Sequence, residues 1–225
     1  MLGRWAYANR DAFTHADFDF FSQALGADSK RGSMVKLWED PDALREMLDL
    51  KEIFRGILDR PSVISVSPDF YFYIIVRHAF IKSGISNPEI AEYVSRILAG
   101  KINACTGDPL KDLAGGFTHV SDFLTLISIA KGGLKFHLQL AAGNQFLVLT
   151  GLFPEFITKR HESCGAPDLA FYETFAQRAF RGAAETAQAR GNAHVGLIRS
   201  LSEILPTARK SLNRVAEEFV FLGDS

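Results

Sequence analysis

Two groups of side chains in this 225-residue sequence have types and spacings that could do chemistry. The first lies in "SVSPDFYFYIIVRHAF", residues 65–80. Here Tyr71, Tyr73, Arg77 and His78 interrupt the most apolar run of the chain. At 100° per residue on a helix, Tyr71 and His78 share one side, while Tyr73 and Arg77 share roughly the opposite side. Phenol, guanidinium and imidazole groups in an apolar setting suit the binding of a small aromatic or apolar molecule with a polar end. They equally suit a structural role, in which Arg77 pairs with an acid from another helix and the hydroxyls meet backbone carbonyls. A bare buried polar group costs about 1–3 kcal/mol, so either way each tip requires a partner.

The second group lies in "FHLQLAAGNQFLVLTGLF", residues 136–153. His137 and Asn144 stand at i,i+7, about 10 Å apart along a helix axis. Leu140 and Ala141 lie between them on that face, with Val148 and Gly151 beyond. A groove of small residues rimmed by imidazole and amide could admit a ligand, and a neighbouring helix is the commoner occupant. Gly143 inside a helix costs about 1 kcal/mol relative to alanine, which points to close packing there.

Other familiar chemistry is missing from the sequence. It has no GxxxxGK[ST], GxGxxG or GxSxG motif. His161-Glu162 lacks the second histidine of HExxH, and no two of the six histidines stand at i,i+3 or i,i+4. No histidine has a glutamate three residues before it, which removes the usual signature of helical di-iron sites. No metal ligand set is therefore assigned. Arg77-His78 is followed by Ala79, so the Arg-His-Gly of histidine phosphatases is not present.

The elements that must carry these groups are helical. Thr14 with Asp17 forms a capping pair before a short helix, and the polar stretch 26–33 reads as a mobile connector. Asp40-Pro41 caps a helix whose apolar positions run from Leu44 to Leu58 with one offset, which predicts a bend or break near Leu50. Ser67-Pro68 and Gly84 bracket a helix over 68–83. Asn87-Pro88 opens the next, with Glu92 and Arg96 paired on its outer face. Helices follow at about 118–131 and 134–152, after Pro154 and from Pro167 to about Arg190, and two more meet at Pro206. The expected fold is all-α: an irregular multi-helix domain of about nine helices over 1–225 with no significant sheet. Two closely packed lobes would join near the glycine-rich stretch 100–117.

Composition narrows the partners. The chain is 47% hydrophobic and 12% aromatic, with a formal charge of −1 and no basic block. The electrostatic footprint of a nucleic-acid binder is missing. The longest apolar run, Phe70–Val76, is far short of the ~20 residues of a membrane span, and the N-terminus has no signal-peptide h-region. Cys105 and Cys164, with no CxxC, read as reduced thiols. No nucleic-acid or membrane partner is expected. High aromatic content at near-zero charge, with Trp5 and Tyr7 on an apolar N-terminal arm, predicts a homo-oligomer or a protein partner.

The order of four segments resembles a bacterial all-helical protein family of unknown function. They are "SVSPDFYFYIIVRHAF", "GNQFLVLTGLFPEF", "GAPDLAFYETFAQRAF" and "LNRVAEEF", across about residues 45–220. The resemblance implies a bacterial cytoplasmic source and a single helical unit, and it transfers no activity and no site. The leading expectation is a non-enzymatic interaction or regulatory module that self-associates. The alternative is a helical protein that holds a small apolar or aromatic ligand or cofactor between helices, with oxidoreductase chemistry as its extension. The cofactor is unknown.

Overall fold

The computed structural model describes residues 13–26, 31–59, 66–103, 119–188 and 195–218. Among them are eleven helices and no strand, so the all-α expectation holds. In chain order these are α1 (His15–Ala24), α2 (Arg31–Glu39), α3 (Pro41–Leu48), α4 (Lys51–Asp59), α5 (Pro68–Lys82) and α6 (Pro88–Asn103). Then come α7 (Val120–Ile129), α8 (Gly132–Leu152), α9 (Pro154–Cys164), α10 (Leu169–Gln188) and α11 (Val195–Glu218). The chain divides into two compact units, Met1–Ala104 and Cys105–Ser225. Most of the stretch expected to join two lobes, 104–117, lies outside the described residues, as do Trp5, Tyr7 and Cys105.

The count of about nine is eleven among the described residues: two expected elements are corrected, and the bend or break expected near Leu50 is a break. The connector read over 26–33 gives way at Arg31 to α2, whose Met34, Leu37 and Trp38 follow helical spacing. The helix after Asp40 breaks at Asp49-Leu50 into α3 and α4, where the apolar stripe is offset. The two helices expected to meet at Pro206 are one helix, α11, with the proline inside it.

Pro206 has no N–H for the Ser202 carbonyl four residues back. That carbonyl instead accepts from Gln177 Nε2 of α10 at 2.9 Å, so a side chain replaces the missing backbone donor. Pro154 poses the same problem to α8. A continued helix would require its N–H at the Thr150 carbonyl, so α8 ends at Leu152 and the chain turns by 91° into α9. Asn213 Nδ2 of α11 donates to the carbonyls of Thr150 (2.9 Å) and Gly151 (2.6 Å). Arg209 in turn donates to Asn213 Oδ1 at 2.6 Å and pairs with Glu173 of α10.

The core of the second unit is the packing of α8, α10 and α11. Small residues set its spacing. A Cβ on Gly143 would lie 2.8 Å from the Phe180 ring of α10, and one on Gly151 would lie 2.9 Å from Leu212 of α11. A Cβ on Gly182 would collide with the Gln139 amide, whose Oε1 accepts from Thr186 Oγ1 at 3.0 Å. Close helix packing is therefore what Gly143 and Gly151 of α8 serve.

In the first unit α5 packs chiefly on α6, with α4 beside it. Trp38 anchors an aromatic cluster, with Phe13, Phe18, Phe21 and Phe70 at centroid distances of 5.1–6.5 Å. The Thr14–Asp17 capping box forms as expected. Asp17 is fully buried, and its carboxylate also accepts from Ser67 N (2.6 Å) and Ser67 Oγ (2.7 Å). Ser67 caps α5 by accepting from Phe70 N at 3.2 Å, so one carboxylate fixes the starts of both α1 and α5. At the other end of α5, Gly84 takes φ +80°, which lets Ile85 N reach the Phe80 carbonyl at 2.8 Å.

Asn213→Ala is expected to strand the Thr150 and Gly151 carbonyls and lower stability by about 2–3 kcal/mol, measured by denaturant unfolding. A loss within about 0.5 kcal/mol would show that these carbonyls do not depend on Asn213.

Candidate functional site

The six side chains singled out by sequence fall in both units: Tyr71, Tyr73, Arg77 and His78 on α5, His137 and Asn144 on α8. On α5 the apolar residues surround the helix, and nine of its fifteen residues are buried. A helix apolar on every side is enclosed by neighbours, so its polar tips must find partners at the edges of the packing.

Arg77 is 8% exposed and fully engaged. Its Nε and Nη2 donate to the two carboxylate oxygens of Asp49 at 2.8 and 2.7 Å, a bidentate fork. Its Nη1 donates to the Ser86 carbonyl at 2.7 Å, in the loop before α6. The expected acid from another helix is thus Asp49, the C-cap of α3. The pair is asymmetric: the Asp49 side chain is 32% exposed against 9% for Arg77. The break between α3 and α4 supplies the acid, and α5 delivers the guanidinium to it from inside.

Tyr73 shares that face and is 4% exposed. Burial pushes its phenol up to about 12; the Asp49 and Glu92 carboxylates add to the rise, while Arg77 and Arg45 oppose it. Glu92 of α6, expected on an outer face, is buried instead. Its pairing with Arg96 at 3.3 Å does form. Burial raises the Glu92 carboxyl above its usual range, and Arg96 and Arg45 pull it back in part. The correction has a simple cause: the stripe Ile90, Val94 and Leu98 is buried together with Ala91, Tyr93 and Ser95, so α6 is enclosed over a wider arc than one stripe. Asp69, in the first turn of α5, is also raised, by burial first and then by Asp17, against Arg96. The first unit therefore holds a band of partly dry charge from Asp49 through Tyr73 to Glu92.

The other α5 pair does not form a site with that band. His78 is half-buried and lies flat on Phe54 of α4, centroids 3.5 Å apart and planes 10° apart. Tyr71 is half-buried, meets Phe72 edge-on at 5.5 Å, and has its phenol raised by burial. On α8, His137 is exposed and touches Phe136 edge-on at 5.3 Å, while Asn144 is half-buried. Along the expected groove His137 and Ala141 are exposed and Leu140 is half-buried, whereas further along the same face Val148 is buried and Gly151 packs against Leu212, so that end is occupied by the neighbouring helix α11.

Two recesses are found among the described residues of the second unit, and none of the six residues lines either. One, of about 30 Å³, has Phe146 stacked on Tyr172 at 5.5 Å, with His119 and Arg160 on its lining. The Arg160 guanidinium lies 5.6 Å over the Phe156 ring. This space suits a water or two, not an organic ligand. The other, of about 360 Å³, is open and polar. Its groups are used locally: His161 Nδ1–H donates to the Ala166 carbonyl at 2.6 Å, Asp168 accepts from Phe171 N at 2.8 Å, and Glu173 pairs with Arg209. Among the described residues no group of three or more His, Cys, Asp or Glu side chains could hold a metal ion.

Sequence reasoning missed Asp49, Gln177 and Asn213 as the partners of these networks, and it found the Glu92–Arg96 pair without its burial. The two donors to helix carbonyls had a signal: each proline strands the carbonyl four residues before it, and a long amide must then be found. Asp49 had none, because only tertiary packing brings the end of α3 to Arg77.

Arg77→Ala is expected to cost about 2–3 kcal/mol, below the range for a fully dry pair, because the surviving Asp49 carboxylate can hydrate. Asp49→Ala is expected to cost more, about 3–4 kcal/mol, because it leaves a buried guanidinium with one carbonyl. Denaturant unfolding of both variants checks the order, and the reverse order would contradict it. Tyr73 gives a pH test. Its folded-state value lies above the ordinary 10.0, so its contribution is intact below pH 10 and is lost as pH rises through about 12. Tyr73→Phe is expected to spare about 2–3 kcal/mol of that alkaline loss and to delete a phenolate step near pH 12 in an ultraviolet titration.

Comparison of the chain with protein-family models, with curated proteins and with solved structures finds no match.

Proposed function

We propose that this chain is a non-enzymatic helical interaction module of a bacterial cytoplasm, and that it associates with itself. The observation that carries the reading is α7. Six of the ten residues in "VSDFLTLISI" are apolar, yet Phe123 is the one residue of the helix that is buried. Leu124 is 52% exposed, Leu126 44% and Ile129 71%, and Leu134 just beyond is 62% exposed. Single exposed leucines are ordinary; here Leu126 and Ile129 stand at i,i+3 on one side of α7 and Leu124 on another, so the helix turns apolar side chains to solvent on more than one side.

Two further features support the reading. The buried polar side chains of α5 serve the fold: Arg77 is spent on Asp49 and Ser86, and His78 lies against Phe54. No single helix among the described residues is long and apolar enough to cross a membrane, so α7 is too short to be hidden as a span.

Light scattering of the full chain at tens of micromolar, roughly adequate for a micromolar interface, is expected to give a mass above the 24.9 kDa of one chain. A single-chain mass at that concentration, together with a small molecule retained in native mass spectrometry, would replace this reading with the ligand-binding one.

A further inference from the structure

We infer that Glu92 makes the first unit acid-responsive: by taking up one proton as the medium turns mildly acidic, it lets α6 seat more firmly on α5. This goes beyond the self-association reading and does not depend on it. The acidic side chains held in the packing of this unit are satisfied unequally. Asp17, fully buried, accepts from Thr14 N (2.6 Å), Ser67 N (2.6 Å) and Ser67 Oγ (2.7 Å). Asp49 receives both prongs of the Arg77 fork and keeps part of its surface in water. Glu92 is 8% exposed, yet its carboxylate makes a single ion pair among the described residues, to Arg96 Nη2 at 3.3 Å. A buried carboxylate keeps its charge where donors or cations replace the lost water. By that measure Glu92 is the least supported of the three.

The surroundings do not make up the difference. Arg96 is shared with Asp69, in the first turn of α5, which in turn lies beside Asp17 of α1. Arg45 of α3 also faces Glu92, but it has Asp42 at 3.9 Å as well. Glu89 adds a like charge from α6 itself. Tyr73 of α5 contributes no charge near neutrality, since its phenol is pushed up to about 12. Asp17, Asp69, Glu89 and Glu92 thus answer to Arg45 and Arg96 alone. A proton on Glu92 removes the driest of these charges and leaves Arg96 to Asp69. Burial is the first cause that raises both the Glu92 and the Asp69 carboxyls, so the two act in the same sense. The folded-state value of Glu92 lies above the ordinary 4.5. Its contribution to stability is therefore fully present below pH 4.5 and is lost as pH rises through the folded value. Between neutrality and pH 4.5, acid tightens the packing of α6 on α5.

The test is amide hydrogen exchange of the full chain at about pH 7 and about pH 5, corrected for the intrinsic exchange rate, with circular dichroism as the folding control. Protection of the α6 amides is expected to rise on acidification in the wild type. Glu92→Gln is expected to keep the helical spectrum and to lose that rise, while Glu52→Gln, at an exposed position on α4, keeps it. No rise in the wild type, an equal rise in Glu92→Gln, or a loss shared by Glu52→Gln would overturn the inference. Carboxyl-carbon NMR of the wild-type chain reads the same group without a substitution. One glutamate is expected to titrate above the ordinary 4.5 and to be missing from the spectrum of Glu92→Gln. Glutamates that all titrate at or below 4.5 would overturn the inference as well.

Discussion

A helix that meets a proline leaves one carbonyl without its usual donor, and in a packed interior water is not there to replace it. This constraint recurs through the second unit. Pro154 ends α8 and strands Thr150; Pro206 interrupts the ladder of α11 and strands Ser202. In both cases the donor is a side-chain amide from another helix, Asn213 and Gln177. The two amides run in sequence, one from α10 to α11 and one from α11 to α8. Two helices of the core are thus each completed by a neighbour. Removing α10 or α11 would leave more than apolar surface exposed; it would leave unpaired backbone. The glycines bring the axes close enough for this exchange, as the tight approaches of Gly143 to Phe180 and Gly151 to Leu212 show.

The first unit solves a related problem with charge. The break between α3 and α4 leaves a loop carboxylate, and the helix with the longest unbroken apolar run of the sequence carries the guanidinium that reaches it. Arg77 spans three elements, holding Asp49 with its fork and the loop before α6 through Ser86. Asp17 does the same at the opposite end of α5, tying Thr14 and Ser67. Between these two anchors lie Tyr73 and Glu92, both shifted toward their neutral forms by burial. The basic side chains that interrupt the apolar run are consistent with architecture: without a polar clasp at its end, a uniformly apolar α5 would lack a fixed register against α3 and α6.

Much of this fold was legible. Caps at Thr14, Asp40 and Ser67, with prolines at first helical positions, located helix starts, because capping is local chemistry between residues three apart. The offset in the apolar stripe near Leu50 located a break. Long-range pairing was not legible. That Arg77 needed an acid followed from its surroundings, but nothing in the spacing distinguished Asp49 from other acids, since the choice depends on how α3 packs. Pro206 misled because a helix-breaking residue was read without its rescuer, 29 positions upstream at Gln177. The candidate set on α8 was read by face, and the same periodicity that gathers His137 and Asn144 cannot say which face turns outward.

The repair at Pro206 has a consequence for the order of events during synthesis. Gln177 leaves the ribosome before Ser202 does, so the amide is already available on α10 when the carbonyl is made. The turn of α11 that holds Ser202 cannot gain its full complement of backbone bonds until it docks there. A nascent chain that ends anywhere before Asn213 also leaves α8 with its last carbonyls unmet. The second unit therefore becomes complete only with its final helix, and truncated chains retain both an open helix end and the surface it would have covered.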